Sequence, residues 1–172
     1  MLHSQAHRQF TLWHGTNDFG GSITEFKPPM SKLKTAERRP GGIAAPLDTR
    51  HGFEKLTTEI TLTGMSDALF GLIKGYRIDQ ERFFLRAGWE DEITGEAFTE
   101  VHTMQGRCTE NDLGDRKPDE DVKVKLVFSL VFWSHEYAGS ERYYFDLLNN
   151  NIRQNGTTIT DAVNAALGRG GA

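Results

Sequence analysis

A single cysteine, Cys108, is present in the 172 residues, so no internal disulfide closes any part of the chain. In an alternating run such a lone thiol is expected as a small, half-buried strand side chain. Long apolar runs are missing too: none approaches the ~20 residues that a membrane-crossing helix needs. The stretch 1–10 carries His, Arg and Gln where a secretory leader would be apolar, so the protein is expected to stay in the cytoplasm of the cell that makes it. Nor is there an excess of positive charge. With 20 Lys and Arg against 24 Asp and Glu, the formal charge is −4, which opposes the wrapping of nucleic acid.

Catalytic signatures are absent as well. There is no Gly-x-Ser-x-Gly elbow and no phosphate-cradling Walker loop. The histidines, His3, His7, His14, His51, His102 and His135, are scattered, and none pairs with a Cys, acid or second His at a typical metal spacing. His3 and His7 lie four apart, but at a terminus expected to fray. His102 and His135 can meet across adjacent strands, where satisfied structural histidines are the usual outcome. The acids Glu90 to Glu92 and Asp119 to Asp121 fall in turns, without the alternating oxygens around a glycine that calcium wants. Trp13, Trp89 and Trp133, with eleven Phe and four Tyr, sit mainly on strand faces, so they are assigned to the core rather than to base stacking. No catalytic, cofactor-binding or metal-binding residue is expected.

What is present is a β-rich pattern. At 37% hydrophobic and 26% charged, the chain reads as one globular domain, residues 1–172. Phe10-Thr11-Leu12-Trp13 alternates, and a second short strand is expected near Ser22 to Lys27, stopped by Pro28-Pro29. Residues 53–63 alternate, with Leu56, Thr58, Ile60 and Leu62 on the buried side. A helix is expected over 66–74: Ser66 caps it, Asp67 sits at its positive end, and Met65, Leu69, Leu72 and Ile73 form the apolar stripe. Met65 and Phe70 are candidates for a hydrophobic staple.

Three more strands are expected at 80–87, 97–110 and 121–135, the first two joined through an acidic tip at 89–96. In the last of them Val122, Val124, Leu126, Phe128, Leu130 and Phe132 are assigned to one face. Lys123, Lys125, Val127, Ser129, Val131 and Trp133 are assigned to the other. A strand follows at 141–148, and a weak helical signature covers 160–167. Residues 30–52 show no period. They hold Lys32, Lys34, Arg38, Arg39 and Arg50 with Pro40-Gly41-Gly42, and a stretch this long is expected either to be a disordered surface loop or to be ordered by something outside the domain.

The order of these segments resembles the major tail tube protein family of contractile-tailed phages and related bacteriocin particles. The matching pieces are 22–30 (SITEFKPPM), the glycine-containing arm 34–45, Leu62-Thr63-Gly64, 78–88, Thr94-Gly95-Glu96, Met104-Gln105-Gly106-Arg107, and 143–168 with Asn155-Gly156 as a late turn. The resemblance implies a mainly β (α+β) fold of tail-tube type: a small β-barrel or sandwich with one flanking α-helix and a long extended arm at 30–52. Residues 1–9 form an N-terminal extension before it.

It also implies a structural role without catalysis. Hexameric rings would stack into a self-assembled tube inside a contractile sheath and make the conduit for DNA ejection. The partners implied are further copies of the chain, the tail sheath protein, and baseplate and tail terminator proteins. Phage DNA would pass through the lumen without specific binding, and no membrane is involved. The place implied is the virion, after assembly in the host cell cytoplasm. Residues 97–110 and 121–135 are expected to build the inner barrel. Candidate interface residues are Lys34, Arg38, Arg39, Gly41 and Gly42 of the arm, Glu90, Asp91 and Glu92 as acidic partners on a neighbour, and Lys123 and Lys125. A type VI secretion or bacteriocin tube protein is the alternative, followed by a small ligand-binding barrel or enzyme.

Overall fold

The computed structural model describes residues 5–169; His3, and with it the His3–His7 pair, lies outside them, as do residues 1–4 of the expected extension. Along the chain run β1 (Gln5–His14), β2 (Asn17–Asp18), β3 (Ile23–Lys27), β4 (Leu33–Arg38), β5 (Leu47–Phe53), β6 (Thr57–Thr63) and α1 (Asp67–Ile73). Then come β7 (Glu81–Asp91), β8 (Ala97–Asp112), β9 (Lys123–Tyr137), β10 (Ser140–Asp146), β11 (Asn151–Gln154), β12 (Thr157–Thr158) and α2 (Asp161–Ala166). The main class is β, as the alternation predicts. Among the described residues there are two helices, α1 within the expected 66–74 and α2 within the weak signature at 160–167, against the one flanking helix that the resemblance implies.

β1 starts at Gln5 and pairs with β7 up to Asp91, so residues 5–9, expected as part of an extension, belong to the sheet. The β7–β8 hairpin is closed by Asp91, whose side chain accepts the N–H groups of Ile93 at 2.8 Å and Thr94 at 3.0 Å. Gly95 takes the positive φ that this turn requires. In α1 the Ser66 hydroxyl accepts the Leu69 N–H at 3.3 Å, the cap expected from sequence. Leu69 and Leu72 are buried, whereas Met65 and Phe70, the proposed staple, are both largely exposed.

β9 organises the main sheet. One edge pairs with β8 over nearly its whole length, and the other is shared end to end: residues 123–129 pair with β6, residues 132–137 with β10. The division falls at a β-bulge. Gln105 of β8 faces Phe132 and Gly106 faces Leu130, leaving Val131 as the extra residue. A bulge of one residue reverses the facing of everything after it. The face assignment therefore holds for Val124, Leu126, Phe128 and Leu130 and fails beyond: Trp133 is in the core at 2% exposure, and Phe132 is outside the core cluster. Gly106 is required beside the bulge, because a Cβ there would collide with the Ser129 carbonyl oxygen.

The ten-stranded sheet runs β12-β11-β10-β9-β8-β7-β1-β2, with β6 and β3 branching from β9. Strands β3, β6, β9, β8, β7 and β1 all send residues into one core, which holds Leu12, Ile23, Ile60, Phe83, Met104 and Phe128 along with Leu69 and Leu72 of α1. Full burial of each large side chain is worth ~1.5–3 kcal/mol. The expected closed barrel is not formed within the chain. Among the described residues β1 and β3 make no ladder with each other, and a cleft opens between them. The arm, expected to be patternless, is an antiparallel ribbon of β4 and β5 that forms a separate two-stranded sheet. Every β4 residue is exposed, so no burial imprints a period on its sequence.

Candidate functional site

The floor of the β1–β3 cleft, a space of about 410 Å³, carries a buried polar cluster. Phe98, Glu100, His102 and Met104 alternate along β8, which aims Glu100 and His102 toward the core side. Across the ladder His102 faces His135, the contact anticipated from sequence, and the inverted facing after the bulge brings Trp133 in beside them. Glu100 Oε1 accepts from His135 Nε2 at 2.8 Å and from His102 Nε2 at 3.1 Å, while Oε2 accepts from Trp89 Nε1 at 2.6 Å.

An indole N–H only donates, so the 3.2 Å bond from Trp133 Nε1 makes His102 Nδ1 an acceptor and places the imidazole proton on Nε2. Hydrogen bonds from His102 and His135, then from Trp89, hold the Glu100 carboxyl well below the usual carboxylate range. Burial pushes His102 below its ordinary value, against the opposing pull of Glu100. The ligand atoms of Glu100, His102 and His135 lie within 4.8 Å of one another, close enough to raise the question of a metal. The ring geometry favours hydrogen bonding instead. The two imidazoles stack with 1° between planes and 4.3 Å between centroids, and both Nε2 atoms converge on Glu100 Oε1 as hydrogen-bond donors, so neither presents a free lone pair there. Ligation through His102 Nε2 would also move a proton onto Nδ1, against the Trp133 N–H.

The sequence-predicted interface residues fall in three places. Lys34, Arg38, Arg39, Gly41 and Gly42 lie on the exposed ribbon, where Gly42 takes a positive φ at the tip. Glu90 and Glu92 reach the surface at the β7–β8 end, and Arg8 of β1 binds both, at 2.9 and 3.7 Å. Asp91 is buried in the turn it caps. Lys125 pairs with Glu59 at 2.8 Å, and this hydrogen bond raises its pKa while lowering that of Glu59. Lys123 lies exposed at the start of β9. The three groups are not brought together within one chain.

The sequence matches the family described as phage tail tube protein FII over residues 5–168. The chain belongs to that family. It is a structural subunit of a tail tube, and the expected family is shown directly. No curated protein matches it.

Solved structures share the subunit's fold. A chain of the sheath–tube complex of an extracellular contractile injection system (PVC, extended state) is 10% identical, with 74% of this chain and 88% of that chain covered and a TM-score of 0.53. A chain of the tube-terminating cap of the anti-feeding prophage is 12% identical, with 76% and 89% covered and a TM-score of 0.56. For a chain of the anti-feeding prophage baseplate the figures are 11%, 79%, 97% and 0.52.

Sequence reasoning missed Trp89 and Glu100 as members of the internal cluster and Arg8 as the partner of the acidic tip. The signal for Glu100 was present: a carboxylate two residues from His102 and four from Met104 shares the core-facing parity of its strand. Arg8 carried no such signal, because its partners depend on strand order.

Proposed function

We propose that this tube subunit closes into hexameric rings that stack inside a contractile sheath and form the conduit for DNA ejection. The supporting observation is the backbone the chain leaves open. Among the described residues β1 and β3 face a cleft without pairing with each other, and the β4–β5 ribbon stands as a two-stranded sheet, a form marginal in water by itself. Neighbouring copies would satisfy these margins, and a ring leaves no free edge. The role needs no catalytic residue, cofactor or membrane. Sheath, baseplate and tail terminator proteins are its partners, and the tube resides in the virion after assembly in the host cytoplasm.

Residues 30–52 act as the inter-subunit arm of a single domain. Lys34, Arg38 and Arg39 meet acids of an adjacent ring; Glu90 and Glu92 qualify by exchanging Arg8, whereas Asp91 serves through the turn it holds. Gly41 and Gly42 allow close backbone approach at the tip. Lys123 and Lys125 belong to the second face of β9, which lines the channel or meets a neighbour. A lumen of neutral or negative charge repels phosphate and keeps DNA from sticking.

Negative-stain electron microscopy of concentrated protein tests this reading, with rings and tubes expected. The double variant Arg38→Asp, Arg39→Asp should stay folded and soluble while failing to stack. A protein that remains monomeric under all tube-forming conditions overturns the proposal; normal tubes from the double variant remove the arm's electrostatic role.

A further inference from the structure

An apolar groove of about 430 Å³ opens at the foot of the β4–β5 ribbon. Leu33 and Phe53 supply its ribbon side; Leu147, Ile152, Ile159 and Val163 supply the rest. Nothing on the described chain fills it, and Leu33, Leu147 and Val163 are left 42%, 39% and 57% exposed. At the other end of the same ribbon is a second unexplained feature. The ribbon is charged along its length by Lys34, Glu37, Arg38, Arg39, Asp48 and Arg50, yet Ile43-Ala44-Ala45-Pro46-Leu47 carries no charge. Ile43 and Leu47 stand 41% and 49% exposed.

Resting on the tube-subunit reading, we propose that this apolar tip, Ile43 to Leu47, seats in the groove at the ribbon foot of the next copy of the chain. The tip cannot reach its own groove. The ladder from Leu33↔Phe53 to Arg38↔Leu47 separates them by about 17 Å or more at ~3.3 Å per residue. The foot is fixed to the body by the Phe53–Phe145 ring contact at 5.1 Å and the Gln154–Ser31 hydrogen bond at 3.0 Å, and its two ends are tied to each other by the Lys32–Glu54 ion pair at 3.0 Å. Tip and groove are different surfaces, so the contact is head-to-tail and repeats from copy to copy without self-closure, as stacking requires. Charges of both signs flank each side: Arg39 and Asp48 beside the tip, Glu54 and Lys55 beside the groove. The contact is small, and its repetition around a ring multiplies it.

Single-cysteine variants test the pairing. In a Cys108→Ser background, Ile43→Cys protein and Val163→Cys protein are mixed, assembled and oxidised. A covalent dimer that forms only in the mixture, and only under tube-forming conditions, is expected. Separately, Ile43→Asp or Val163→Asp should raise the protein concentration needed for tubes by about tenfold or more, the scale of losing one aliphatic pocket contact, with circular dichroism unchanged. Tubes that form normally from both Asp variants, or tubes in which the mixture gives no cross-link, overturn the tip-in-groove contact and leave the tube reading standing. Absence of any tube from the wild-type protein removes both.

Discussion

Replacing Glu100 with Gln perturbs the internal cluster with almost no change in shape. The carboxylate accepts three N–H donors, from His102, His135 and Trp89. An amide offers one oxygen, so at least one donor must face an NH₂ group. A hydrogen bond to a charged acceptor is worth ~1.5–3 kcal/mol against ~0.5–1.5 for a neutral one, so the two retained bonds lose roughly 2 kcal/mol together. The third donor, on half-buried Trp89, adds about 1 kcal/mol or more. The loss is then about 3 kcal/mol, which lowers the Tm of a domain this size by roughly 6–12 °C. Urea unfolding of dilute monomer followed by tryptophan fluorescence measures it. A loss under about 1 kcal/mol refutes the three-donor arrangement.

The pH dependence gives an independent check. Burial lowers the His102 pKa, so below pH ~6.5 the unfolded chain takes up a proton that the native one refuses. Glu100 is likewise lowered, so below pH ~4.3 the unfolded carboxylate protonates while the native one stays ionised. In both windows the unfolded state binds more protons and acid destabilises. The part due to Glu100 is present above pH ~4.3 and is lost below it, so the stability gap between wild type and Glu100→Gln must narrow there. A gap that stays constant or widens in acid contradicts the assignment.

Three other outcomes follow from the same geometry. Gly106→Ala drives a Cβ into the Ser129 carbonyl and should cost ~1–3 kcal/mol in urea unfolding; a change under about 0.5 would show that the bulge yields freely. Phe128→Ala empties the core beside Phe83, 4.7 Å away, and should cost ~3–5 kcal/mol, with a Phe83/Phe128 double-mutant cycle giving a coupling of ~0.5–1.5 kcal/mol. Trp133→Phe removes the donor that occupies His102 Nδ1, so the His102 pKa should rise in an imidazole NMR titration; an unchanged value means that the indole does not set the tautomer.

Period-two alternation made most of the strands legible, and the helix could be read from Ser66 and the Leu69–Leu72 spacing, because each pattern reports burial directly. The β4–β5 ribbon was illegible for the same reason: none of β4 is buried, so its residues answer to no face. The facing of Trp133 was lost at the bulge. Only the four consecutive apolar residues Leu130 to Trp133 marked that place, and a run of that kind fits either register. Lys125 found an acidic partner on another strand of its own chain, while the acids at 90–92 proved to be engaged by Arg8 and by their own turn. Pairings of this sort depend on strand order, which no local pattern carries.

One inserted residue accounts for much of what distinguishes this sheet. Val131, the extra residue opposite β8, lies between the stretch of β9 that pairs with β6 and the stretch that pairs with β10. The same insertion turns Trp133 and His135 inward, where they complete the cluster around Glu100 beneath the cleft. That cluster ties β7, β8 and β9 together where β1 and β3 stop short of each other. The open mouth is thus braced from below by the three hydrogen bonds that Glu100 accepts. A subunit built in this way can present unpaired margins while its core stays rigid, which is the property required of a part that is completed by its neighbours.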